Sequence, residues 1–404
     1  MTTRGEQMLA LRRRRMAASP PILRGGFRPF FFGGASWGLI ALILWLCSLA
    51  GALTLPTAFD PVAWHRHEML FGFVGAVVSG FLLTAVPNWT GRLPIAGQPL
   101  AALVGLWFAA RIAVLFSGSF GLFPAAVLDA GFFFVLAMLA AREVLESKNR
   151  NLPIVGMVVL FGLADAADYA SAAGWIDADL GWQLGIALVV LLISIIGGRI
   201  TPSFTRNWMA KRGIRQGLPT QPGRFDLFVI GATAFALLWW LSAPPGWVTG
   251  GILVAAALIQ LARLARWRGW RTVADPLVLI LHVGYLWIPV GLALLGLFEA
   301  GLPIPRSAAI HALTAGAMTT MILAVMTRAS LGHTGRDLKA SPATVFLYLL
   351  VTAGAVMRVL ASVGVIRNYD VALHVAGTFW AGALLVFLIA YAPVLWGPRL
   401  GERA

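Results

Sequence analysis

Read for polarity alone, the chain is a succession of long apolar runs broken by short polar stretches. Twelve runs stand out, at about 30–53, 64–87, 98–117, 120–141, 152–173, 178–200, 224–242, 246–267, 274–298, 306–329, 341–364 and 369–396. Runs of some twenty apolar residues match the hydrocarbon thickness of a bilayer, and only a helix can cross it as a single segment with its backbone satisfied. The pattern therefore predicts an all-α polytopic membrane protein of about twelve transmembrane helices: residues 26–400 as one transmembrane domain and residues 1–25 as an N-terminal arm. The whole-chain figures agree, with 59% hydrophobic residues and 12% charged among 404.

One phrase recurs. Trp64 to Arg92 begins Trp64-His65-Arg66-His67-Glu68, runs apolar, and closes on Pro87-Asn88-Trp89-Thr90-Gly91-Arg92. His311 to Arg336 repeats it, with Gly316 in the place of Gly72 and Thr334-Gly335-Arg336 in the place of Thr90-Gly91-Arg92. Pro202-Ser203-Phe204-Thr205, at the end of the sixth run, matches Pro87-Asn88-Trp89-Thr90. The second, sixth and tenth runs are four apart, so the expected plan is three four-helix repeats, 26–142, 150–270 and 271–400.

Charge changes the picture only through its placement. A net charge of +15 invites a nucleic-acid partner. The cations instead sit in short loops: the arm, Arg92, Arg142, Arg150, Lys211, Arg212, Arg215, Arg263, Arg266, Arg268, Arg271, Arg336 and Lys339 share one side. The other side has Arg66, Arg306 and Arg367 with Asp60, Asp177, Asp179 and Asp370. This is the positive-inside bias, which excludes nucleic acid as the reading and expects an inner-membrane protein with both termini cytoplasmic. Cys47 is the single cysteine, so neither an intrachain disulfide nor a thiolate metal cluster is expected.

That topology works as a depth gauge. His65, His67, Glu68, Arg111, Asp129, Asp165, Asp168, Tyr169, His311, Arg358 and His374 all fall in the outer half of the bilayer. Ionisable side chains there are expensive and point to function. Imidazoles at one depth suit haem iron or copper, and arginines suit haem propionates. The expected haem ligands are drawn from His67, His311 and His374, with Arg111 and Arg358 at the propionates. The metal ligands are expected among His65, His67, His311, His374 and His282, copper taking His65 or whichever histidine the haem leaves free. His65 and His67 stand about 200° apart on a helix and cannot serve one metal. Glu68, Asp129, Asp165 and Asp168 are the candidate catalytic proton carriers. For His282 a plain interhelical hydrogen bond is as good a reading. Gly72, Gly75 and Gly80 read as close-packing positions.

The sequence resembles the NnrS family of haem- and copper-containing bacterial inner-membrane proteins associated with nitric oxide and denitrification. The resemblance rests on Gly26-Phe27-Arg28-Pro29-Phe30-Phe31, on Trp64-His65-x-His67-Glu68-Met69, and on Gly80 to Gly91. It continues through Gly198-Arg199-x-Thr201-Pro202-x-Phe204-Thr205 and Met326 to Arg336. It implies haem (of b type), copper and protection from nitrosative stress, none of which composition shows. The function expected is reduction of nitric oxide to nitrous oxide, an oxidoreductase activity with quinol as donor. The alternatives are a non-catalytic protein that binds nitric oxide or strips it from other centres and, further off, a transporter, which the repeats would suit.

Overall fold

The computed structural model describes residues 10, 14 and 17–401. Of the arm's Arg12 to Arg15, only Arg14 is among them. Twelve helices are long and apolar enough to cross a membrane. They are α1 (Phe27–Leu49), α2 (Pro61–Thr90), α3 (Gln98–Leu115), α4 (Leu122–Glu146), α5 (Leu152–Ala172) and α6 (Leu180–Lys211). Then follow α7 (Arg224–Ser242), α8 (Trp247–Arg271), α9 (Pro276–Glu299), α10 (Arg306–His333), α11 (Pro342–Ser362) and α12 (Tyr369–Trp396). Each expected run is one helix, and the chain is a multi-pass membrane protein. Large apolar side chains such as Phe108, Phe123, Leu238, Leu349 and Ile389 point outward, a pattern that suits lipid rather than water.

Local chemistry sets where helices start. Asp60 accepts from the backbone N–H of Val62 and Ala63 at 2.9 and 3.0 Å, and Pro61 takes the first position of α2. Asp275 caps α9 before Pro276, and Ser341 caps α11 before Pro342. A short polar cap followed by proline fills the donors that a helix start leaves open. At the far end of α2, Gly91 adopts φ +68° and stops the helix.

Several helices run past their expected ends, among them the three that share the recurring motif. α2, α6 and α10 continue to Thr90, Lys211 and His333, beyond 87, 200 and 329. Pro87 and Pro202 lie inside their helices. A proline deletes one rung and kinks a helix, but a helix between neighbours in a membrane tolerates that loss. Threonines of the same motifs, Thr90 and Thr205, bond back to carbonyls four residues earlier.

α2 and α10 share a rarer feature. Residues Glu68–Val74 and Ala312–Met318 are π-helical, each beginning directly after a histidine. The offset between the two segments is that between His67 and His311. π-turns are rare and frequent at functional sites. The equivalent stretch of α6 is regular α-helix.

The chain divides into two compact units. The first runs to Gly185 and takes in Ala329–Asp337 and the chain from Phe387. The second comprises Ile186–Arg328 and Leu338–Val386. In the first, α2 packs on α1, α3 on α4 and α4 on α5. Buried Arg28 donates to the carbonyls of Leu395 and Gly397 at 2.8 and 2.6 Å, which ties α1 to the end of α12. In the second unit α8 and α9 meet at Gly250 and Gly296, where a Cβ on either would strike the other's carbonyl oxygen.

Candidate functional site

The start of α2 turns two neighbours inward. His67 and Glu68 are both fully buried, Arg66 is half-buried, and His65 points elsewhere to stack on Trp45 with ring centroids 3.9 Å apart. His65 and His67 thus occupy different surroundings, as their spacing requires.

Around His67 and Glu68 the first unit gathers Arg111 from α3, Asp129 from α4, and Asp165, Asp168 and Tyr169 from α5, all buried. Arg111 donates to Glu68 Oε2 at 2.7 Å and, through its other terminal nitrogen, to Asp129 Oδ1. Trp37 Nε1 also donates to Glu68 Oε2. The Tyr169 hydroxyl donates to Asp129 Oδ2 at 3.1 Å. His67 spans the cluster, with Nδ1 2.9 Å from Asp168 Oδ2, and Nε2 3.0 Å from Asp129 Oδ2 and 3.5 Å from Asp165 Oδ1. Asp168 Oδ1 lies 3.6 Å from Arg66, whose guanidinium rests on Trp182. Phe59, Phe71 and Tyr169 close around the imidazole, with centroids 4.9 to 5.1 Å away.

Gly72 has a more specific place than close packing. A Cβ there would meet the Glu68 carboxylate, the Arg111 guanidinium and the Trp37 indole, and its carbonyl accepts from Trp107 Nε1 at 3.2 Å. The absence of a side chain lets these charged groups close on one another.

Four expected proton carriers, Glu68, Asp129, Asp165 and Asp168, therefore share one site with His67 and Arg111. Four carboxylates face two arginines. Charge of one sign left over in an interior of low dielectric is costly, so such a cluster binds protons or a cation.

The other expected residues lie in the second unit. His311 Nδ1 donates to the Ser307 carbonyl at 2.7 Å, which leaves the ring's lone pair on Nε2. That is the usual second-sphere bond of a metal-ligating histidine. Arg358 bonds Ser362 and faces the Tyr369 ring, on α11, which packs against the start of α10. His374 is on the exposed face of α12. His282 bonds Thr205 Oγ1 through Nε2 at 2.8 Å, with Gly269 against its ring. The sequence reading placed Arg263 among the loop cations. It is buried, and it donates to Asp226 at 2.8 Å, to the Ser194 carbonyl at 2.9 Å and to Tyr285 at 3.0 Å. Gln260 extends this network to Ser194, Thr233 and Tyr285. The signal was Gln260 and Arg263 three apart on one face of an apolar helix.

The facing donor atoms of His67, Asp129 and Asp165 all lie within 4.8 Å of one another, a gap for a single ion and not for a porphyrin. Arg111, assigned to a propionate, already holds two of the protein's own carboxylates. His311, whose Nδ1 is taken by the Ser307 carbonyl, would be the histidine able to hold haem iron through Nε2. A copper(I) site would want sulfur donors, and the His67 cluster offers one nitrogen and carboxylate oxygens.

The family model described as NnrS protein covers residues 21–399. No curated protein matches the chain.

Proposed function

The chain belongs to the NnrS family, whose function is related to nitric oxide, and on that premise we propose that it reduces nitric oxide to nitrous oxide within the bacterial inner membrane. Two nitric oxide molecules, two electrons and two protons give one nitrous oxide and one water. A quinol supplies both electrons and protons and is oxidised to the quinone. Nitric oxide is small and uncharged, so it reaches a buried site through lipid, where ions do not follow.

The observation that carries this reading is the buried cluster of His67, Glu68, Asp129, Asp165 and Asp168 inside a membrane unit. Acid groups held away from bulk water are what a proton-consuming reaction in a membrane needs. Arg111 and Tyr169 fix Asp129. Asp168 faces the half-buried Arg66 and is the group through which protons pass from the rim. Haem, in this reading, would be held by His311 and would supply an iron for nitric oxide binding and electron transfer. Copper is a second redox metal, outside the His67 cluster. Both termini are cytoplasmic, which sets the cluster in the outer half of the bilayer.

The test is anaerobic incubation of the purified, reduced protein with nitric oxide and a short-chain quinol. Nitrous oxide in many-fold excess over protein is expected. A single stable nitrosyl adduct without nitrous oxide would make the protein a binder and end the reductase reading. For Asp168→Asn we expect a fall in turnover with binding of nitric oxide retained, and an unchanged rate would remove Asp168 from the proton path.

A further inference from the structure

We propose that His67 Nε2, one oxygen of Asp129 and one oxygen of Asp165 bind a single divalent metal ion of the manganese(II) and iron(II) class. Three independent observations lead there.

The first is Asp165. It is fully buried, and neither of its oxygens has a hydrogen-bond partner. An ionised carboxylate there lacks donors and a protonated one lacks an acceptor. Either state costs the full desolvation of the group. An ion coordinated directly satisfies it. Asp165 Oδ1 points at the imidazole from 3.5 Å.

The second is the orientation of His67. Nδ1 faces Asp168 at 2.9 Å and Nε2 faces oxygens of Asp129 and Asp165 at 3.0 and 3.5 Å, so a neutral ring with its proton on Nδ1 turns the Nε2 lone pair toward both of these carboxylates. A lone pair set against two carboxylates is repulsive unless a proton or a metal ion lies between them, and a metal ion also reaches the Asp165 oxygen that has no hydrogen bond. A histidine whose other nitrogen donates to a carboxylate is the recurrent arrangement at metal centres. Ligand atoms about 2.1 Å from one ion stand about 3 to 3.5 Å apart; Nε2 lies 3.0 Å from Asp129 and 3.5 Å from Asp165, and all three donor atoms fall within 4.8 Å of one another.

The third is charge. Ionised, Glu68, Asp129, Asp165 and Asp168 carry four negative charges, against two positive ones on Arg111 and Arg66. A divalent ion makes the cluster neutral with the imidazole uncharged. The donor set is rich in oxygen, with one nitrogen and no sulfur, which favours manganese(II) or iron(II) over copper(I). Arg111 and Tyr169 do not compete for the ion; they hold Asp129 as its ligand.

This assignment stands on the cluster alone, and its test is read without nitric oxide. The full chain in detergent is stripped with chelator, incubated anaerobically with manganese(II), and desalted. Metal is then measured against protein. The wild type is expected to keep one ion per chain. Asp165→Asn, which nearly preserves shape and removes no hydrogen bond, is expected to lower retention roughly tenfold or more. Pulsed EPR of the wild-type manganese form is expected to show coupling to one imidazole nitrogen, lost in His67→Gln, and it does not depend on Asp165→Asn folding. No retained ion in the wild type, full retention in Asp165→Asn, or absence of the nitrogen coupling each overturns the site. Retention of copper(I) in preference to manganese(II) or iron(II) under the same anaerobic conditions overturns the class of ion. A protein that holds the ion yet makes no nitrous oxide refutes the reductase reading and leaves this one intact.

Discussion

Arg111→Met is expected to destabilise the protein by about 3 to 5 kcal/mol, the usual cost of removing one partner from a buried ion pair. Arg111 is fully buried and its guanidinium holds both Glu68 and Asp129. Methionine fills much of the same space, so the loss is electrostatic rather than a cavity. It leaves two carboxylates in a low-dielectric interior without their cation. Glu68 would retain only the Trp37 indole, and Asp129 would retain Tyr169 and His67. Unfolding in mixed micelles, followed by circular dichroism, measures the effect. The double variant Glu68→Gln/Arg111→Met should recover part of the loss, since one orphaned charge is gone. A single variant as stable as wild type would mean that the guanidinium is not what balances these acids.

Arg263→Met is expected to cost a similar amount, about 3 to 5 kcal/mol, although it lies far along the chain from any residue of the His67 cluster. Arg263 binds Asp226, the Ser194 carbonyl and hydroxyl, and Tyr285, and rests on the Trp267 ring. Four acceptors on one planar fork explain why lysine is a poor substitute. Arg263→Lys should recover less than half of the loss. Gly198 belongs to the same arrangement, because a Cβ there would enter the guanidinium itself. The same micelle assay decides the matter. Wild-type stability in Arg263→Met would show the network to be replaceable.

How much of this the sequence disclosed depends on the kind of information. Span number follows from run length, which is set by bilayer thickness, and all twelve runs became helices. Depth also follows, because a residue's place along a span is read by counting. Glu68, Asp129, Asp165 and Asp168 could thus be singled out together. Contact needs two more coordinates, the rotation of each helix and the identity of its neighbours, and apolar helices of similar composition encode neither in a pattern of depth. His67 was therefore matched with His311 by depth and repeat position, while the partners it makes are Asp129, Asp165 and Asp168 from α4 and α5. Arg263 was obscured for a different reason. It sits near a helix end among exposed arginines, where loop cation and buried cation look alike. Pro87 and Pro202 do not end α2 and α6, because their effect in water, to end a helix, is weakened between packed helices.

The π-turn after His67 carries a consequence for what changes this protein can bear. A π-turn holds one residue more than the α-helix that would cover the same length. Each residue of an α-helix turns the chain by about 100°. Exchanging one apolar side chain for another between Glu68 and Val74 leaves that count intact. Deleting any one of those seven residues lets the helix relax to α and swings everything before the gap relative to everything after it. His67 would then face away from Asp129, Asp165 and Asp168 with every side chain of the cluster still present in the sequence. For this segment the spacing from His67 to Gly75 is a stricter requirement than the identity of the apolar residues that fill it, and the same holds from His311 to Thr319.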